Sequence, residues 1–285
     1  MALNKVVDSP AAAVADIFDG ASLAVGGFGL CGVPVDLIDA LVEYGATDLV
    51  VVSNNCGVDG FGLGRLLARH RVARVAGSYV GENREFARQF LAGELEVELI
   101  PQGSLAERLR AGGCGIPAFY TSAGVGTLVA EGGLPWRYGP DGSVLVASPP
   151  KEVREFGGRR HVLEHAITTD FALVRATRGD TAGNLVFDLA TRNFNPLCAM
   201  AGRTTIAEVE ELVPEGALDP VSVHLPGIFV KRVVQADTTR EKLIEKRTVR
   251  PGSEVRGSVR PGSEVRGSVR PGSEGRGAAV QEDAP

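Results

Sequence analysis

The chain has 285 residues, 44% hydrophobic and 23% charged, with a formal net charge of −5 at pH 7. That is enough for one large α/β domain or two small ones with a real core, and the mild, evenly spread charge gives no reason to expect nucleic acid or an anionic membrane as the main partner. No apolar run approaches the roughly 20 residues that span a bilayer, and the opening MALNKVVDSP has neither the basic nor the apolar region of a secretory signal, so a cytoplasmic setting is expected.

In chain order, the first helix is expected to take Ser9 as N-cap and Pro10 at its first position, with Val14, Ile17 and Phe18 as its apolar stripe. Asp19 and Gly20 turn the chain into a strand over 22–25, and a glycine-rich loop follows. Leu37, Ile38, Leu41 and Val42 then have helical spacing, Gly45 closes that helix, and a strand over 48–52 comes at once. The alternation continues with a helix over 63–70, a strand over 74–80, a helix over 84–91, a strand over 97–100 and a helix over 105–110. Such alternation predicts an α/β fold with a mostly parallel, doubly wound sheet. Asp141 and Gly142, between Tyr138 and the apolar 144–146, predict a β-hairpin region inserted within 135–150. Two strands with a turn at 178–184 are expected over 166–186, and 204–213 adds one more. After residue 245 the decapeptide PGSEVRGSVR begins at Pro251, recurs at Pro261 and is truncated at Pro271. A stretch so rich in Pro, Gly, Ser and charge cannot bury enough apolar surface to offset its ordering entropy, so 246–285 reads as a disordered tail.

The segment DGASLAVGGFGLCGVP, residues 19–34, carries most of the functional signal. Gly26, Gly27, Gly29 and Gly32, around Phe28, let the backbone turn sharply and a ligand approach its N–H groups. The helix that follows would aim its positive end at an anionic or thioester-bearing group. Gly27 to Gly32 also spells G-x-G-x-x-G, but a dinucleotide site needs an acid at the end of the next strand. That strand ends in Ser53, Asn54 and Asn55, with Asp48 at the wrong end.

Ligands of open α/β sheets bind outside the carboxyl ends of the strands, so three places compete: the glycine loop, SNNCGVDG over 53–60, and PQGS over 101–104. Gln102 is the sharpest residue, an amide at a helix start suited to donate to a developing oxyanion. Glu82 reads as the beginning of a helix. His161 and His165 lie in a strand-like stretch, where residues four apart are about 13 Å from each other, too far to share a metal. Cys31, Cys56, Cys114 and Cys198 have no C-x-x-C spacing and read as small half-buried thiols, although Cys31 and Cys56 could line a site.

Residues 19–34 resemble the signature of the family I coenzyme A transferases: an acidic residue and glycine, an apolar run, GGF and a spaced G-x-P. VVSNNCGVDGFGLG, SYVGENREF, GELEVELIPQGSLAERLRAGG, GIPAFYT, KEVREFGG, ITTDFALVRA and EKLIEKRTVR extend the likeness to A subunits of the 3-oxoacid branch of that family, from near residue 4 to about 250. The resemblance implies a CoA-transferase-like fold, with residues 1–245 as the A-subunit domain. It implies no cofactor, coenzyme A being a substrate, and a ping-pong transfer from succinyl-CoA to acetoacetate in which a glutamate forms an anhydride and then a glutamyl-CoA thioester. Acetate, butyrate or 3-oxoadipate as the acid stay open, as does a non-catalytic acyl-CoA or small-acid binding module that uses the same pocket without turnover. In the family the glutamate belongs to an S-E-N-G motif of the B subunit. Here the corresponding place reads Ser53, Asn54, Asn55, so a B subunit, in an A2B2 assembly, is the implied partner. By the same resemblance Gln102 is the oxyanion donor, Asn54 and Asn55 line the substrate pocket, and Gly26, Gly27, Phe28 and Gly29 border the acyl or thioester group.

Overall fold

The computed structural model describes residues 4–240 and Leu243, and the repeat tail lies outside the described residues. The chain opens with α1 (Pro10–Val14), where the Ser9 side chain accepts from the Ala12 N–H at 3.2 Å as an N-cap. This helix stops a turn before its apolar stripe would: the Ile17 N–H closes a tight turn onto Val14 O, burying Ile17 and leaving Phe18 exposed. There follow β1 (Ser22–Val25), α2 (Val35–Tyr44), β2 (Leu49–Val52), α3 (Gly64–Leu67), β3 (Val72–Gly77), α4 (Arg84–Leu91), β4 (Glu96–Leu99) and α5 (Gln102–Gly113). Gly45 closes α2 in the left-handed conformation at φ 95°, and its N–H reaches Leu41 O.

An excursion of short elements intervenes: β5 (Ala118–Thr121), α6 (Leu128–Glu131), β6 (Pro135–Tyr138), β7 (Val144–Ala147), β8 (Val153–Phe156) and β9 (Arg159–His165). The chain then returns with β10 (Thr169–Asp180), β11 (Leu185–Val186), α7 (Asn195–Ala201), β12 (Gly202–Val213) and β13 (Val230–Gln235).

The main sheet runs β13-β12-β10-β1-β2-β3-β4, all parallel, with β11 antiparallel to β10. From β1 the chain winds outward to β4, then crosses back to β10 and winds the other way, so the switch point lies between β1 and β10. There Leu23, Ala24 and Val25 face Phe171, Ala172 and Leu173. Strands buried on both faces need apolar runs rather than alternation, which LAV, LVVV and FALV supply. Ala13, Leu37, Leu41, Leu66 and Phe86 from α1 to α4 pack on one face, and Leu105, Leu109, Cys198 and Ala199 from α5 and α7 on the other.

The hairpin expected at 135–150 forms as β6 and β7, but as a two-stranded sheet of its own that covers the β4 edge. Trp136 lies 5.1 Å from the Arg74 guanidinium and Tyr138 5.2 Å from the Phe90 ring. A second small sheet, β5-β9-β8, is docked by buried charge. Arg108 of α5, bound to the buried Glu98 of β4, donates to His165 O at 2.8 Å and faces Glu164 of β9 at 3.9 Å, and Glu164, 1% exposed, also accepts from Lys151 Nζ at 2.6 Å. His161 and His165 lie on β9, opposite Arg154 and Ala118.

α4 starts at Arg84, two residues after Glu82, because Asn83 is its cap. The buried Asn83 amide accepts from Phe86 N–H at 2.9 Å and donates to Cys56 O at 3.0 Å, tying α4 to the loop after β2. Asn83→Ala removes a cap and orphans a carbonyl, and is expected to cost about 2 kcal/mol. Thermal unfolding should then show Tm lower by roughly 4–8 °C.

Candidate functional site

The carboxyl ends of β1 to β4 meet in one cleft of about 340 Å³, lined by Phe28, Gly29, Asn54, Ser78, Tyr79 and Gln102. The size is that of a small-ligand pocket. Of the residues singled out in the sequence, Phe28, Gly29, Asn54 and Gln102 are brought together here. Gly26, Gly27 and Asn55 are not. They stand behind the loop, around a void of about 10 Å³ shared with Val33, Ser53, Gly57 and Leu63, room for about one water.

A relay of amides joins the two groups. The Gly29 N–H donates to Asn55 Oδ1 at 3.0 Å, and Asn54 Nδ2 donates to the same oxygen at 3.1 Å. Asn54 Oδ1 in turn accepts from Ser78 Oγ at 2.7 Å and from Gln102 Nε2 at 2.8 Å. A backbone N–H can only donate, so Gly29 fixes Asn55 with its oxygen toward the loop, and each later amide is oriented by the one before. Asn54 and Gln102 each spend one N–H of their NH₂ group in the relay and keep a second. Asn54 is 2% exposed whereas Gln102 is exposed at the first residue of α5, and the Gln102 side chain reaches across to Asn54 rather than capping its own helix.

The helix after the glycine loop does not offer its positive end to a ligand. Glu208 of β12, fully buried, takes that place: its Oε2 accepts from Asp36 N–H at 2.9 Å and Leu37 N–H at 3.1 Å, and its Oε1 from Arg175 Nη1 at 2.5 Å. Burial pushes the Glu208 carboxyl up, to about 7, against the pull of Arg175. Asn195, at the start of α7, grips both ends of the loop. Its Nδ2 donates to Gly32 O at 2.9 Å, its Oδ1 accepts from Arg175 N–H at 2.9 Å, and a Cβ on Gly26 would lie 1.9 Å from that oxygen. Only glycine fits at position 26 for that reason, while Gly27, at φ 120°, is required by its backbone.

Ser78 and Tyr79, Asn195 and Glu208 are the site residues that the sequence reading missed. Ser78 and Tyr79 were absorbed into a strand expected to run to 80, which in fact ends at Gly77. The Asn-Pro pair at 195–196 signals a turn but not a partner. Glu208 and Glu210, alternating along a strand, look like a solvated face. Cys56 is buried and its thiol is pushed up to about 12, so it is no nucleophile at neutral pH; Cys31 is exposed on the loop. Among the described residues no cluster of His, Cys, Asp or Glu could hold a metal ion, and no helix is long and apolar enough to cross a membrane.

A doubly wound parallel sheet whose cleft is floored by oriented amides and walled by two aromatic rings defines an α/β ligand-binding domain without the ribose-binding acid of a dinucleotide fold. The chain belongs to the coenzyme A transferase family, whose model matches residues 7–236. It is 66% identical over 248 residues to the A subunit of the probable succinyl-CoA:3-ketoacid coenzyme A transferase of Mycobacterium tuberculosis, covering 87% of this chain and 100% of that one. To the A subunit of the succinyl-CoA:3-ketoacid coenzyme A transferase of Xanthomonas campestris it is 57% identical, over 88% of this chain and 96% of that one. Among solved structures, glutaconate coenzyme A-transferase from Acidaminococcus fermentans shares the fold at TM-score 0.66 and 22% identity, over 81% of this chain and 75% of that one. An acyl-CoA transferase from E. coli O157:H7 does so at TM-score 0.70 and 24% identity. That match covers 84% of this chain and 48% of the other, so the chain spans about half the length of that enzyme.

Proposed function

We propose that this chain is the A subunit of a heteromeric 3-oxoacid CoA-transferase that moves CoA from succinyl-CoA to acetoacetate, its nucleophile being a glutamate of a B subunit, in an A2B2 assembly. The observation that carries the reading is Asn54: at the end of β2, where the resemblance places a glutamate in the other half of such enzymes, stands a buried amide that cannot form an anhydride. The names of the close relatives support the choice of acid and the need for a partner.

In this reading the partner's carboxylate attacks the thioester carbonyl of succinyl-CoA. The carbonyl oxygen takes up the charge, and collapse expels CoA thiolate to leave a mixed anhydride. The thiolate then attacks the glutamyl carbonyl of that anhydride, releasing succinate and leaving a glutamyl-CoA thioester, and acetoacetate takes the CoA by the same steps in reverse. This chain supplies the walls and the donors. Phe28 and Tyr79 flank the acyl chain, and the second N–H groups of Gln102 and Asn54 face the developing oxyanion, already oriented before substrate arrives.

Purified alone, the chain is expected to show no transfer. Co-expressed with a B subunit it should convert succinyl-CoA and acetoacetate, and mass spectrometry of enzyme trapped with succinyl-CoA alone should find the added CoA on the partner. Turnover by this chain alone, or a thioester on it, would refute the assignment.

A further inference from the structure

Glu208 does not line the cleft, yet it is fully buried at the foot of the glycine loop that forms one of its walls. We infer that Glu208 is a positioning residue for the glycine loop: by holding the first N–H groups of α2 it fixes the loop whose middle, Phe28 and Gly29, walls the cleft. Pro34, just before α2, gives no side-chain cap, so the Asp36 and Leu37 N–H groups rely on Glu208. The link from there to the cleft is by contact. Val33 packs on Gly27 so closely that a Cβ there would come within 2.9 Å of Val33 Cγ2, and Gly27 leads directly into Phe28. Asn195 packs against Gly26 and ties Gly32 to Arg175, and Arg175 binds Glu208, so both ends of the loop rest on one buried cluster.

The cluster holds its charge narrowly. Arg175 from β10 faces Glu208 and also Glu210, the next inward position of β12. Asp36 of α2, nearly buried, is the opposing like charge, itself held by Arg240 Nε at 2.9 Å and by the Asp237 N–H. A carboxyl that titrates near neutrality in this setting loses its charge as pH falls through about 7. The protonated form presents a weaker acceptor to α2 and no counter-charge to Arg175, so the loop is held less firmly on the acid side.

Two measurements test this. In the complex with a B subunit, Glu208→Gln keeps a carbonyl for the α2 N–H groups but removes the charge. Its kcat/KM is expected to be about tenfold below wild type at pH 8 and to converge with wild type near pH 6, following ionisation of one group. Parallel profiles across that range would overturn the inference, since a merely structural defect would not change their shape. The second measurement needs neither mutation nor partner: amide exchange of the full-length wild-type chain, corrected for intrinsic rates. Protection of the Asp36 and Leu37 amides should fall about tenfold from pH 8 to pH 6 relative to Leu41 in the same helix. A constant ratio would equally overturn it. The kinetic arm rests on the transferase reading and the exchange arm does not, so failure of the one is distinguishable from failure of the other.

Discussion

Gln102→Ala, in the complex with a B subunit, is expected to lower kcat by about 10²–10³ with little change in KM or in Tm. Stability should hold because Gln102 is exposed and alanine is a better helix former at the start of α5. Asn54 also keeps its bond from Ser78 Oγ at 2.7 Å, so the relay behind the loop survives. What disappears is an amide donor that Asn54 orients and that opens onto the cleft. In the proposed mechanism its second N–H meets a full negative charge only when the thioester carbonyl becomes tetrahedral, so the loss is expected to fall on the transition state and to appear in kcat. Gln102→Glu is the sharper control. The side chain is the same length, but a carboxylate there faces Asn54 Oδ1, another acceptor, and opposes the oxyanion, so activity should fall at least as far. An increase in KM with kcat intact for Gln102→Ala would reduce Gln102 to a ground-state contact.

The parallel core was legible in the sequence because burial on both faces writes itself as short apolar runs, and because Gly20 and Gly45 punctuate them at the turns. Within 118–165 the same logic reached only the hairpin at 135–150, because β5, β8 and β9 lie largely exposed or half exposed; β8 and β9 pair across Gly157 and Gly158, both at positive φ, while β5 pairs with β9 from far away in sequence. In the site, the residues at strand ends were readable since parallel sheets present ligands there. The residues that hold those strand ends in place were not. Glu208 acts on α2 across 172 positions of sequence, and nothing local to either segment announces the pair. The glycine loop accordingly looked like an anion cradle backed by a helix dipole, when the dipole is already answered by the protein's own carboxylate. Ser53 and Asn55 likewise share a tripeptide with Asn54 but bind Val25 O and the Gly29 N–H, shaping the loop from behind.

Gly26→Ala tests that support most severely. Gly26 does not have a positive φ, so the added methyl meets no backbone objection; its conflict is entirely with Asn195, whose Oδ1, Cγ and Cα would lie 1.9, 2.6 and 3.1 Å away. Two of these atoms could swing aside, but the third is backbone, and swinging the amide aside breaks its bonds to Gly32 O, Thr191 O and the Arg175 N–H. Overpacking of about 1–3 kcal/mol therefore adds to the orphaning of buried backbone groups at about 1–3 kcal/mol apiece. A loss of about 3 kcal/mol or more is expected, seen as a Tm lower by roughly 6–12 °C. Gly103→Ala is the matched control, since a Cβ there meets nothing within 4 Å and lies in the first turn of α5, so its stability should be equal or slightly higher. The mechanism is separable from a generic loss at a tight turn by a double-mutant cycle. Asn195→Ala alone leaves the loop carbonyls unpaired, but in the Gly26→Ala background it also removes the clash. The double variant should therefore be more stable than the sum of the two single losses by about 1 kcal/mol or more. Strict additivity would mean that the loop is not seated on Asn195 in the way the 1.9 Å approach requires.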